Sequence, residues 1–317
     1  MRGTEMKVLA KSALMIAVLA PMAFQIVRGQ SNGSKPSAGA RFAAPGAMDD
    51  ATGSGASDVA KTLKTAAETV GLARWSGVGG QRLPEVDVIN TMEIWASGTC
   101  YALGPSNKPG ESGPAFKAEY HIALGYNPPA MRVEMTRSGS GAAAQHTIEV
   151  VRDKYAWDES EIGAGLIPGK GTATPAMAAV NNRLLQLWLL PYGVIKAALA
   201  AGDKTKLSTE SGAAVLTFPL SGPLADVTVK ATLDAENEVA KVETRSDNPA
   251  FSDLLTEIEY SDYKDHGEIA TDVKSPGHIV RKQGGHPVLD VQVKTWDANN
   301  PYLVFPVPEN VKQAASH

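Results

Sequence analysis

The stretch "LLQLWLLPYGVIKAALAAG", residues 184–202, limits what this chain can fold into more than any other. Its nineteen positions carry one charge, Lys196, and one side-chain amide, Gln186. A helix that is apolar nearly all round must be covered on most sides, by lipid or by protein. A membrane span needs about 20 apolar residues without a central break. Here Pro191-Tyr192-Gly193 falls in the middle, where a proline removes a backbone donor and kinks or ends a helix. The flanking segments alternate polar and apolar residues, as water-facing strands do. The stretch therefore reads as a buried helix, and the rest of the chain must provide a surface that holds it.

That surface is legible as strands. "DVINTMEIWASGTCYALG" (87–104) sets Val88, Asn90, Met92 and Ile94 against more polar neighbours. "FKAEYHIALGYN" (116–127), "AMRVEMTRS" (130–138), "QHTIEVVRD" (145–153) and "KYAWDES" follow, separated by Pro and Gly clusters. Thr174-Pro175 then reads as an N-cap followed by Pro at the first helical position, which predicts a helix over 175–201, kinked at Pro191 and stopped by Gly202. Strands resume at "AAVLTFPL" (213–220), "DVTVKATLD" (226–234), "EVAKVETRSD" (238–247), "LTEIEYSDY" (255–263), "GHIVRK" (277–282) and "VLDVQVKTWD" (288–297). Roughly ten strands and one helical excursion predict a mainly β fold. The expected architecture is a single strongly curved antiparallel sheet, half-barrel-like, holding a kinked apolar helix, with a short N-terminal helix over "SDVAKTLKTAAETVGLA" capped by Ser57.

The N-terminus reads as an address. Arg2, Lys7 and Lys11 precede "SALMIAVLAPMAFQIV", the basic and apolar regions of a secretory signal, and Val27 and Gly29 fit the small-residue cleavage positions. Residues 1–29 are thus expected to be a signal peptide, with an uncleaved anchor helix as the alternative. Its loss removes four basic residues and one acid, leaving the rest more acidic than the −4 of the whole chain. Residues 30–56, rich in Gly, Ser, Ala and Pro, read as a flexible linker. A single β-rich domain is expected over 57–311, with a tail at 312–317. The expected location is periplasmic or extracellular. The charge gives no footprint for nucleic acid, and the single cysteine, Cys100, permits no internal disulfide.

Three segments carry a family resemblance. "SGTCYALGPSNKPGESGPAFKAEYHIALGYNPPAMRVEMTRS" resembles a segment near the start of certain exported bacterial metallo-β-lactamase-fold proteins, in which a "GxxxALGQ" strand leads to a Pro/Gly loop and then to "Y…DY…MR.E..R". "RLLQLWLLPYGVIKAAL" is similar to that family's "R…LWLTPHGFxKAA" helix. "YSDYKDHGEIATDVKSPGHIVRKQGGHPVLDVQVKTWDANNP…PVPENV" resembles its closing strands. The likeness runs from about Thr91 to Val311. The closing run is also similar to the sheet of periplasmic lipoprotein carriers, half-barrels that hold an apolar groove against a helical lid. The departures matter. The "HxHxDH" zinc motif is missing, so hydrolase activity does not carry over, and the histidine of "LTPHG" is Tyr192 here. The resemblance implies a non-catalytic accessory domain standing alone.

No catalytic motif appears. "GAGLIPGKGT" (163–172) has Ala164 and Gly171 where a P-loop needs glycine and a hydroxyl, so it reads as a loop. There is no G-x-S-x-G elbow, and Cys100 sits in an alternating strand as a small buried hydrophobe would. The residues nearest to a metal set are His266, His278 and His286, with Asp262 and Asp265 nearby, but their spacings match no ligand pattern and no metal or other cofactor is assigned. The function expected is an exported, non-catalytic binding protein whose apolar groove takes a lipid or other hydrophobic ligand. Leu184, Leu187, Trp188, Leu190, Tyr192 and Ile195 are the candidate groove residues. The alternatives are a structural or protein-interaction component of the cell exterior, partnered by other envelope proteins, and a hydrolase-related accessory domain. The mature chain is expected to have no membrane span.

Overall fold

The structure is a computed structural model that describes residues 51–72, 74–75, 82–83, 89–102, 112–139, 143–248, 252–265 and 273–316. The expected signal peptide, the linker up to residue 50 and His266 lie outside the described residues. Thirteen strands form one antiparallel sheet. In chain order they are β1 Thr91–Tyr101, β2 Ala115–Tyr126, β3 Pro129–Ser138, β4 Gln145–Arg152, β5 Tyr155–Glu159, β6 Ala173–Pro175, β7 Lys206–Glu210, β8 Ala213–Pro219, β9 Thr228–Leu233, β10 Val239–Asn248, β11 Ser252–Ser261, β12 His278–Gln283 and β13 His286–Ala298. Their spatial order is β6-β5-β4-β3-β2-β1-β13-β12-β11-β10-β9-β8-β7. The chain starts in mid-sheet and steps outward by hairpins to the edge at β6. It restarts at the opposite edge with β7 and steps back until β13 pairs with β1, Leu289 opposite Cys100. The segment between β6 and β7 must therefore travel from one edge to the other, and it does so over one face.

The mainly β expectation and that of one large antiparallel sheet hold, with two separate two-stranded pairs beside it, Arg74–Trp75 with Arg82–Leu83 and Lys264–Asp265 with Lys274–Ser275, but the sheet is neither closed nor strongly curled. A physical reason lies in its ladders. Register shifts, which bend a strand, occur at Thr232/Leu233, Arg281/Lys282 and Val293/Thr295. All three lie in the β9–β13 half or at its seam with β1.

Alternation sorts the side chains onto two faces. Met92, Ile94 and Ala96 of β1, Ile122 and Leu124 of β2, and Met131 and Val133 of β3 point to one face and join the main core. Ala123, Ala130, Ile148, Val150 and Trp157 point to the other, where Phe305 and Val311 of the C-terminal segment cover them. That segment is tied down by Arg152 Nη1 to Phe305 O (2.8 Å) and by Asn310 Nδ2 to Ala173 O (2.7 Å). The expected tail at 312–317 is helical as far as Ala314. Past this cover, the same face between β7 and β12 is a charged ladder: Lys230–Glu210, Lys241–Glu257 and Lys282–Glu259 pair at 2.7–2.8 Å. Such exposed pairs contribute little stability; they mark a solvated face.

Among the described residues four α-helices accompany the sheet. The first, α1 Ala51–Thr69, starts earlier than the expected cap at Ser57. Its Leu63, Ala66, Ala67 and Val70, spaced as one helical face, are buried. It stops on Gly71 (φ 82°), where Leu72 N bonds Ala67 O and Gly71 N bonds Glu68 O, the paired bonds of a left-handed C-terminal cap.

The expected helix start at Thr174-Pro175 is corrected: these residues form edge strand β6, with Pro175 opposite Trp157. An edge strand tolerates proline because one side needs no ladder bond. The helix α2 Val180–Trp188 follows, then α3 Pro191–Ala201. They are two helices bent by 94°, where a kink was expected. The residue before a proline is driven out of the helical region, and Leu190 is extended (φ −67°, ψ 149°) with Pro191 opening α3. Gly193 lets the corner close: a Cβ there would stand 2.6 Å from Leu187 O and 3.0 Å from Trp188 Cα. Among the described residues no single helix is long and apolar enough to cross a membrane; the bent pair passes only by combined length and composition. The fourth helix, α4 Glu309–Ala314, closes the C-terminal segment.

Candidate functional site

Polar anchors pin the helix pair to the sheet. Arg183 of α2, 7% exposed, donates from Nη1 to Val150 O (3.0 Å) and Trp157 O (2.8 Å) and pairs with Asp158. Tyr260 of β11 donates its hydroxyl to Leu189 O at 2.9 Å, at the corner between the helices. Tyr192 of α3 donates to Lys274 O, and Thr205 Oγ1 to Ala198 O at 2.6 Å. Burial pushes the Tyr192 and Tyr260 phenols well above their ordinary range, so both remain protonated donors. α2 lies on β3–β5 and α3 over β8, and a gap remains between the C-terminal half of α3, the end of β2 and the segment after β8.

That gap is a cleft of about 560 Å³. Tyr126, the last residue of β2, and Trp188, the last of α2, form its inner wall, with ring centroids 5.7 Å apart. The C-terminal half of α3 supplies Lys196, Ala197, Leu199, Ala200 and Ala201, Lys204 follows, and Pro219-Leu220-Ser221 at the end of β8 close the other side. Lys196 is 8% exposed, and its Nζ stands 5.2 Å from the centroid of the Tyr126 ring, a cation–π distance. Burial raises the Tyr126 phenol too. No acid, histidine or cysteine is among the described residues that line this cleft. It offers an apolar bed with a positive group, and no paired nucleophile and base.

The six groove candidates divide. Trp188 lines the cleft. Leu190 lines a much smaller void, about 40 Å³, beneath the helix corner, together with Ile122, Met131, Ile258 and the inward-facing Arg281. Leu184, Leu187, Tyr192 and Ile195 are buried in the main core, packed between helices and sheet. Residues that sequence reasoning missed are Tyr126, Lys204 and 219–221, which topology brings to α3 from distant strand ends. Lys196 had a signal, as the lone charge in an apolar run.

His278 and His286 do not come together. His278 opens β12 and hydrogen-bonds Asp290 through Nε2 at 2.8 Å. His286 pairs with Gln283 at the far end of the same hairpin, about 17 Å away at roughly 3.3 Å per residue. Two side chains so separated cannot share an ion, and among the described residues no group of three or more His, Cys, Asp or Glu could hold one. Cys100 is buried, and burial pushes its thiol up, away from the reactive thiolate. The 163–172 segment is a glycine-rich loop between β5 and β6. No family model matches the chain, and no curated protein matches it.

Proposed function

We propose that this chain is an exported, non-catalytic binding protein that holds an apolar ligand or lipid between its helix pair and its sheet. One observation carries the reading: the cleft of about 560 Å³, lined by Trp188, Leu199, Leu220 and the alanines of α3. Its volume lies within the range of roughly 300–1,000 Å³ typical of small-molecule sites. The N-terminal signal pattern supports export to the periplasm or cell exterior, and the likeness to metallo-β-lactamase-fold accessory regions and lipoprotein carriers supports a binding role. On this reading the open sheet works as a half-barrel with the helix pair as its cover.

Exposed Ile167 (57%), Val304 (64%) and Tyr302 (88%) favour a second reading, a docking component for envelope proteins. Organic extraction of the full chain purified from cells, followed by mass spectrometry, separates the two. A co-purifying acyl compound near one per chain is expected. Extracts free of any guest, from a protein that instead self-associates or retains a protein partner, favour the docking reading.

A further inference from the structure

We infer that edge strand β7 pairs antiparallel with β7 of a second copy of this chain, joining two sheets into one across a two-fold axis. The pairing needs no ligand in the cleft.

The sheet ends in β6 on one side and β7 on the other, and only the first edge is blunted. At β6 the strand is three residues long, Pro175 has no N–H, and Ala173 O already accepts from Asn310 Nδ2 at 2.7 Å. In β7, Lys206–Glu210, every residue except the half-buried Leu207 is exposed, and no proline interrupts the strand. Its free backbone groups follow from the hairpin. β7 and β8 are joined by a two-residue turn, Ser211-Gly212, with both φ positive (51° and 87°). Such a turn makes its flanking residues, Glu210 and Ala213, a hydrogen-bonded pair. Bonding alternates along an antiparallel strand, so Glu210, Ser208 and Lys206 turn their N–H and C=O toward β8. Leu207 and Thr209 turn theirs to the open side.

Two copies of this edge fit in one register. With Ser208 on the two-fold axis, Leu207 faces the partner's Thr209 and exchanges both backbone bonds with it, as does the symmetric pair. The same register sets Lys206 opposite the partner's Glu210. Leu207 lies on the core side, opposite Leu216, so Lys206, Ser208 and Glu210 share the charged face. There Glu210 meets Lys230 at 2.7 Å and is still about half exposed, so the partner's Lys206 extends the ladder by one rung. A lysine on an edge strand ordinarily wards off another strand. Here Lys206 and Glu210 stand at equal distances either side of the axis, so the charges that repel other strands attract a copy of this one. One edge of five residues falls below the roughly 1,200 Å² of stable interfaces, so the dimer is weak, with a Kd of about 10–500 µM.

Sedimentation equilibrium of the full chain, from about 10 µM to about 1 mM, tests the pairing. A monomer–dimer equilibrium in that range is expected, and a chain that stays monomeric throughout overturns the inference. Thr209→Pro removes an edge-facing N–H and spares the ladder to β8. It should weaken dimerisation about ten-fold or more, and an unchanged dimer overturns β7 as the contact. Lys206→Glu and Glu210→Lys each set like charges opposite one another in both symmetric pairs, so each variant alone should dimerise about ten-fold more weakly. Mixed in equal amounts, the two should associate at least as tightly as the unaltered chain, because every charged pair across the axis is then of opposite sign. A mixture that stays monomeric while the unaltered chain dimerises overturns the register. Both charge variants lie on the exposed face, so they decide alone if Thr209→Pro does not fold.

Discussion

Trp188 and Leu187 are neighbours in α2 with different surroundings. Leu187 is fully buried in the main core, whereas Trp188 is half-buried, with its ring against Tyr126 at the cleft. Removing a buried leucine forfeits its transfer free energy and leaves a cavity the core cannot close, at about 2–5 kcal/mol. A tryptophan in a solid core would cost about 3–5 kcal/mol on truncation. Because part of its surface already faces the cleft, Trp188→Ala is expected to cost clearly less, about 1–2 kcal/mol by the apolar area it covers, despite the larger side chain. Urea unfolding of the two variants checks this. A loss for Trp188→Ala equal to or above that of Leu187→Ala makes the cleft wall an ordinary core wall.

At the scale of elements, the corner between α2 and α3 is the part most dependent on particular residues. Pro191 sits at the first position of α3, where its absent N–H is not needed and its fixed φ only pre-organises the start. Pro191→Ala is therefore expected to cost at most about 1 kcal/mol. Gly193→Ala forces a Cβ against the backbone of Leu187 and Trp188, which a flexible side chain cannot relieve, and should cost about 1–3 kcal/mol. Thermal melts of the pair give the order, and equal losses contradict the close approach. This corner also shows what the sequence made legible. Pro-Tyr-Gly announced a break, but the right angle depends on where the sheet takes each helix, which no local pattern records. The interior strands were readable from alternation, as in Met92, Ile94 and Ala96. The edges β6 and β7 were not. Ala173–Pro175 is three residues long and looks like a helix start, and "KLSTE" is nearly all exposed, so it has no apolar side to alternate with. The candidate site was half legible for the same reason. Trp188 and Lys196 belong to the conspicuous helix, whereas Tyr126 and residues 219–221 reach it only through strand order.

For the whole molecule, one topological fact organises the rest. A sheet that starts in its own middle must connect its two edges, and the connection lies across one face. The opposite face is closed by Phe305 and Val311 along β2–β6 and is a charged ladder between β7 and β12. The helix-bearing face, with its cleft, is where the proposed binding role puts a ligand. Amide hydrogen exchange of the full chain, with and without dodecanoate, locates the guest on this map most directly. The account predicts increased protection in the second half of α3, through Lys204, and at 219–221, with the charged-ladder strands unchanged. Protection spread over the ladder, or no change anywhere at saturating ligand, would contradict it.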